Sequence, residues 1–391
     1  MKVVFFSNYL NHHQLPLAHA FSGIPYITYT FVATTPFNEK RAQMGYKDEN
    51  KNYDFILRAY ESKKNEAQAY QLAKEADIVI VGSADDSYMA ERLNLHKVTF
   101  HASERYFKKG LNIKTFPRYF ASAMKHIRPY QSLPLYYLCS SAYTAKDVNT
   151  FTSYKNRCFK WAYFTEVDEN KKQFLIDKKA QNDTPVILWA GRFLPWKHPD
   201  AAIRLAKKLK ENGYKFRMLI IGGGEMEKQL KELTKELKLE GIVQFLGFLP
   251  PDTVRSYMEQ SDLFLFTSDF NEGWGAVLNE AMSSGCASIA SHACGASPFL
   301  IHNGTNGYLY KDGHEEQLFR RTAQLIEDSI SRRRMGIQAY EDMCDEWNPR
   351  IASERLIRLY EAISSGDEIL LYKDGPCSPA PILRNRWYKY D

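Results

Sequence analysis

Short, nearly uninterrupted apolar runs recur along the chain, separated by longer amphipathic or charged stretches. Runs of this kind read as strands buried on both faces of a parallel sheet. The first is residues 2–6 (KVVFF), and others follow at 27–33, 77–81 (DIVIV), 97–101 (KVTFH), 135–140 and 158–163. A second series starts at 185–190 (PVILWA) and continues at 218–221, 242–245, 263–266 and 287–291. Helical spacing falls between them, at 12–21, 67–75, 276–282 and 315–327, with a last helix at 348–363. Strand alternating with helix predicts doubly wound α/β architecture. Two separate series predict two such domains: 1–170, a linker at 171–184 overlapping the charged and then polar stretch 164–183, 185–347, and a closing helix with tail at 348–391. Residues 36–51 are polar and read as irregular.

The most informative stretch is 264–285, FLFTSDFNEGWGAVLNEAMSSG. It predicts a strand, a polar turn and then a helix of good formers that stops at Gly285. Strand, glycine-containing turn and helix point backbone N–H groups at an anion. Gly273 and Gly275 lack a Cβ and let a ligand approach the main chain. Glu272 and Glu280 bracket the turn, and sugar hydroxyls, which need acceptors, are natural partners for them. In the first series, His12, His13 and Gln14 open a helix after the first strand and are candidates for an acceptor side. A metal site on His12–His13 is not expected, because adjacent residues on a helix diverge. Asp85–Asp86 follows a strand as N-cap residues do.

His101 is expected at the carboxyl end of its strand, with Glu104 and Arg105 next to it, positioned for an acceptor or paired with each other. From 105 to 146 there is no Asp or Glu, and Lys and Arg alternate with aromatic and aliphatic residues as far as Arg128. That mixture suits an anionic membrane surface or a lipid-diphosphate. A solvated basic face, or a helix with its aromatics in the core, fits the same pattern.

Composition narrows the classes. A 44% hydrophobic and 25% charged chain of 391 residues is an ordinary globular composition. A net charge of +6 suits nucleotide phosphates and is too small to argue for nucleic acid. Six scattered cysteines with no C-x-x-C pair argue against zinc or thioredoxin chemistry and for a reduced, cytoplasmic protein. No stretch approaches the length of a spanning helix, and the apolar run ending at Phe6 is too short for a signal peptide. Membrane contact would be peripheral, at the inner face of the plasma membrane.

The spacing E-x7-E, from Glu272 to Glu280, after a strand and a glycine turn, resembles the donor-site motif of retaining glycosyltransferases of family 4. Upstream, GRFLPWKHPDAAIRLAKKLK matches the family's first C-domain loop. The resemblance implies the GT-B fold, two facing doubly wound Rossmann-like domains with an interdomain cleft. It implies sugar transfer from a nucleotide-sugar donor to a glycan or lipid-linked hydroxyl acceptor with retention, in cell-surface polysaccharide or lipid-linked glycan synthesis. Arg192 and Lys197 stand in place of the two cations that stabilise the diphosphate as negative charge develops on it. Glu272 would hold the donor sugar's hydroxyls, Glu280 the ribose, and His101 would sit near the reacting carbon. Gly273, Trp274, Gly275, Ala276 and Val277 belong to the donor turn, Gly222 and Gly223 lie beside the nucleotide, and Phe248 and Leu249 hold the base. No metal or other cofactor is required, since fixed cations replace it.

Two departures stand out. The loop after the first strand has no glycine, and Phe299 occupies a position where the family has Glu. A sugar-nucleotide epimerase or hydrolase of the same fold, and a catalytically silent partner of a glycosyltransferase complex, are the alternatives.

Overall fold

The computed structural model describes residues 1–38, 47–369 and 372–389. Of the polar stretch 36–51, residues 39–46 lie outside the described residues, as do 370, 371, 390 and 391 of the C-terminal segment. The chain divides into two compact units. Unit 1 comprises residues 1–166 and 346–384, and unit 2 comprises 167–345 and 385–391.

Unit 1 holds β1 (Lys2–Ser7), β2 (Thr28–Ala33), β3 (Ile56–Arg58), β4 (Ile78–Val81), β5 (Thr99–Ser103), β6 (Leu135–Cys139) and β7 (Cys158–Lys160). They form one parallel sheet in the order β3-β2-β1-β4-β5-β6-β7. Unit 2 holds β8 (Val186–Ala190), β9 (Arg217–Ile221), β10 (Val243–Gly247), β11 (Leu263–Phe266), β12 (Ala287–Ser291) and β13 (Gly307–Tyr310). Its order is β10-β9-β8-β11-β12-β13, again all parallel. Counted from the first strand this is 3-2-1-4-5-6, the dinucleotide-binding order.

The apolar runs are buried because helices cover the sheets. On one face of the second sheet, Ile187, Trp189, Met218, Ile220, Leu263 and Leu265 pack against Ala202, Leu205, Leu209 and Leu230 from flanking helices. Residues two apart along a strand share a face, so each run feeds both layers. In unit 1, Val4, Phe6, Val79 and Val81 meet Ala69, Ala73 and Leu93 in the same way.

Several boundaries differ from the sequence expectation. The first helix is Leu15–Ser22, with 12–14 in a turn ahead of it, and the helix expected at 67–75 is Lys63–Glu75, capped by Ser62. The strand expected at 158–163 ends at Lys160. β3 and β13 were not expected, being three residues long in one case and opened by the Asn306-Gly307 turn in the other. The stretch assigned to a linker contains the helix Lys172–Ala180. Its Leu175 is fully buried beside Tyr340 and Cys344, and its buried Lys179 donates to the carbonyl of Met258 (3.1 Å). Asp85 caps the helix Asp86–Asn94 through the N–H of Ser87 (2.9 Å), as expected. All six cysteines are buried, and none is in a disulfide.

The closing helix, Pro349–Ser365, is capped by Asn348 and ended by Gly366 in the left-handed region. It packs on the helix Leu15–Ser22 within unit 1. Beyond it, Lys160 pairs with Asp374 (2.6 Å) and Phe159 bridges to Pro379.

Candidate functional site

Ligands in open α/β sheets sit beyond the strands' carboxyl ends, where the strand order reverses. In unit 2 that point lies between β8 and β11. The loop leaving β8 runs through 191–198 and the loop leaving β11 through 267–276. Both carry residues singled out in the sequence.

Hydrogen bonds fix these loops to one another from below. Trp189 Nε1 donates to Thr267 Oγ1 (2.8 Å), and Thr267 Oγ1 donates to the carbonyl of Lys197 (2.6 Å). The N–H of Asp269 donates to the carbonyl of Trp196 (2.9 Å). His198 Nε2 lies 3.4 Å from the Asp269 carboxylate. That hydrogen bond raises the His198 pKa despite partial burial. Burial would raise Asp269, but its bonds to His198 and Asn271 hold it below the usual range.

Above this seam, Lys197 Nζ pairs with Glu272 Oε2 at 2.5 Å, the side chains being only 13% and 15% exposed. Ser268 Oγ donates to the same carboxylate oxygen (3.2 Å). The structure therefore brings together two residues assigned to different parts of one ligand. Arg192, on the same loop, is exposed, and among the described residues no carboxylate pairs with it.

The glycines have specific reasons. Gly222 has φ +139°, and a Cβ there would fall 1.8 Å from the Gly191 carbonyl oxygen. The backbones of 191–193 and 221–223 are joined by Gly191 N–H to Ile221 O (3.0 Å) and Phe193 N–H to Gly223 O (2.9 Å). The missing side chain at 222 thus lets the two loops close on each other. Gly275 has φ +91°, with Phe266 Cζ 2.2 Å from where a Cβ would stand.

Trp274 needs correction as a donor contact. It is fully buried, its Nε1 donates to Asn279 Oδ1 (2.8 Å), and its ring lies 6.2 Å from Phe299. It supports the turn from inside, and the same pair explains Phe299, a 1% exposed core residue where Glu was expected. Gly273 is buried, Ala276 caps the helix Val277–Ser283, and Phe248 is exposed just beyond β10 with Leu249 following. Burial drives the Glu280 carboxyl up to about 7, with Arg255 pulling the other way.

In unit 1, β5 continues to Ser103 because its pairing with β6 runs on to Cys139, so His101 lies mid-strand and not at the carboxyl end. Its ring stacks on Tyr137 at 5.4 Å. Burial lowers its pKa to about 4, against an opposing pull from Asp86, so the imidazole is neutral at physiological pH. Arg105 does not reach out to an acceptor. It is 4% exposed, pairs with Asp147 (3.4 Å) and lies over the Tyr143 ring. Glu104 instead pairs with Lys108 (2.7 Å) and accepts from Tyr163 (2.7 Å). The rings of His12 and His13 do not diverge; they lie 3.7 Å apart in the turn before the helix. His13, with Gln14, Gly82, Ser83 and Ser140, lines a small concavity at the carboxyl edge of this sheet.

Thr267, Ser268, Asp269 and His198 were not singled out. Their significance depends on β8 and β11 being neighbours, and the sequence signal was a mostly polar turn, 267–272 with Phe270 its one apolar residue, at the end of a buried strand.

Residues 170–342 match the family model for glycosyl transferases group 1. The amylovoran biosynthesis glycosyltransferase AmsK of Erwinia amylovora is 29% identical over 183 residues, 46% of this chain and 45% of that protein. The N-acetyl-alpha-D-glucosaminyl L-malate synthase of Bacillus anthracis is 33% identical over 147 residues, 38% of this chain and 36% of its own. The chain spans less than half the length of the curated relatives it matches. Among solved structures, Anabaena Alr3699/HepE in complex with UDP superposes with a TM-score of 0.67 at 16% identity, covering 93% of this chain and all of that one. That likeness is one of fold, and the fold is GT-B.

Proposed function

We propose that this protein is a retaining glycosyltransferase of the family 4 type, transferring a sugar from a nucleotide-diphosphate sugar to a hydroxyl on a glycan or lipid-linked acceptor. The bond from the anomeric carbon to the phosphate oxygen breaks, the acceptor oxygen bonds on the same face, and the acceptor proton passes to the departing phosphate. The Lys197–Glu272 pair at the switch point of unit 2 carries this assignment, with Arg192 on the same loop. Arg192 and Lys197 take the charge that develops on the diphosphate. Glu272 accepts hydrogen bonds from the donor sugar. The main chain at Gly275, Ala276 and Val277 flanks the phosphates, and Gly222 and Gly223 lie beside the nucleotide. Phe248 and Leu249 meet the base. His101, held neutral, contributes a hydrogen bond and no charge. The reaction serves cell-surface polysaccharide or lipid-linked glycan synthesis on the cytoplasmic side.

A thermal-shift panel of nucleotide sugars tests this. A donor at 100 times its Kd stabilises by about 2.7 kcal/mol. A uridine diphosphate sugar is the first to try, since UDP occupies the Anabaena structure. A panel with no stabilising nucleotide sugar contradicts the assignment.

Glu280 adds a pH dependence. Ionised, it accepts from the ribose more strongly than as the neutral acid, and its pKa stands at about 7. Donor KM should rise as pH falls through 7, by at most about tenfold per unit. Glu280→Gln should flatten that profile; an unchanged profile would remove the ribose role.

A further inference from the structure

The structure separates the interleaved basic and aromatic residues of 105–128 into two sets. Phe107, Tyr119, Ala123 and Ile127 are buried. Leu111, Ile113, Phe116 and Phe120 are not: they are 45%, 90%, 46% and 43% exposed. Four of the large exposed apolar residues of the described chain thus fall within ten consecutive positions. They are held outward by built structure. Asn112 Oδ1 accepts from the N–H groups of Lys114 and Thr115 (3.0 and 3.2 Å), and Thr115 Oγ1 donates to the carbonyl of Gly110 (2.8 Å). This turn leads into the helix Phe116–His126, where Phe116 and Phe120 stack with centroids 5.9 Å apart. Both rings stand edge-on to Phe151, at 5.6 and 5.4 Å.

The charges divide in a similar way. Arg105, Lys108 and His126 are paired, with Asp147, Glu104 and Asp86. Lys109, Lys114, Arg118, Lys125 and Arg128 are exposed, and among the described residues no carboxylate pairs with any of them. Arg118 lies over the Tyr119 ring, and Arg128 donates to Met124 Sδ. A protein surface that leaves Ile113 almost wholly in water, between uncompensated lysines at 109 and 114, lacks a partner both apolar and anionic. A bilayer containing anionic phospholipid is such a partner.

We propose that the turn 109–115 and the first turns of the helix Phe116–His126 form a membrane-docking surface for anionic phospholipid. Leu111, Ile113 and Phe116 enter the boundary between headgroups and acyl chains. Lys109 and Lys114 lie at headgroup level, each strengthening association about fivefold. Docking is reversible, because the apolar set is small. Among the described residues no helix is long and apolar enough to cross a membrane. This inference does not depend on the sugar-transfer chemistry.

Co-sedimentation of the full chain with phosphatidylcholine vesicles, with and without phosphatidylglycerol, tests it. The expected result is association with the phosphatidylglycerol vesicles only, weakened at least about tenfold by Ile113→Asp and by the Lys109→Glu/Lys114→Glu pair. Both variants lie on the exposed surface, and thermal melting indistinguishable from wild type shows that they fold. Absence of association with phosphatidylglycerol vesicles, or association that Ile113→Asp leaves unchanged, overturns the proposal. Equal binding to soluble dextran sulfate, insensitive to Ile113→Asp, also overturns it, by making the surface a site for acidic polymer.

Discussion

Lys197→Ala lowers kcat by about 10²–10³ while the protein melts within a few degrees of wild type. The catalytic loss is large because, in the proposed reaction, the ammonium meets the negative charge that develops as the sugar–phosphate bond breaks, and a preorganised cation there reorganises nothing during reaction. The structural loss is small for local reasons. The side chain passes over Gly191, with Cδ 3.5 Å from where a Cβ on that residue would stand. Its partner is Glu272, which retains the Ser268 hydroxyl after the change. The loop itself stays anchored through Thr267, which holds the carbonyl of Lys197 and not its side chain. Steady-state kinetics beside a melting curve check both halves. Near wild-type kcat would remove Lys197 from the chemistry, and unfolding would make it a structural residue.

Glu272→Gln has two effects of opposite sign. Turnover falls about 10²-fold or more, since the amide accepts less strongly from the sugar hydroxyls and leaves Lys197 without its carboxylate. Affinity for a bare nucleoside diphosphate, which has no sugar to hold, rises instead. In the resting protein Lys197 is neutralised at 2.5 Å, and a diphosphate must share that ammonium with a carboxylate that repels it. Coulomb's law gives two unit charges some 6 Å apart about 3 kcal/mol at an effective dielectric near 20. With partial exposure about half of this remains, or roughly tenfold in Kd. Calorimetry with UDP and kinetics with the UDP-sugar separate the two effects. Parallel losses in both would mean that Glu272 holds the fold of the loop and not the sugar.

The sequence showed the sheets more fully than the site. Buried parallel strands have no polar face, so DIVIV and PVILWA identify themselves by continuous hydrophobicity. β3 escaped because three residues make no period, and the helix Lys172–Ala180 because its apolar contribution to the core is one fully buried leucine among lysines. Lys197 and Glu272 were both legible as candidates by type and spacing. Their pairing was not, because they are 75 positions apart and meet only through the β8–β11 adjacency. Side-chain direction was the least legible feature. Trp274 was expected at the ligand but turns inward to Asn279, and Arg105 was expected outside but is drawn under by Asp147, 42 residues later. An acid-free stretch conceals a partner that lies just beyond its end.

The central claim is that the β8 and β11 loops of unit 2 receive a nucleoside diphosphate on Arg192 and Lys197. Isothermal titration of UDP and of the other nucleoside diphosphates into wild-type protein and the Arg192→Ala/Lys197→Ala pair tests it most directly. At least one diphosphate should bind the wild type, and the double variant should bind it at least about 100-fold more weakly, a loss of about 2.7 kcal/mol. A double variant that binds as tightly as wild type, or a wild type that binds none of them, would contradict the account.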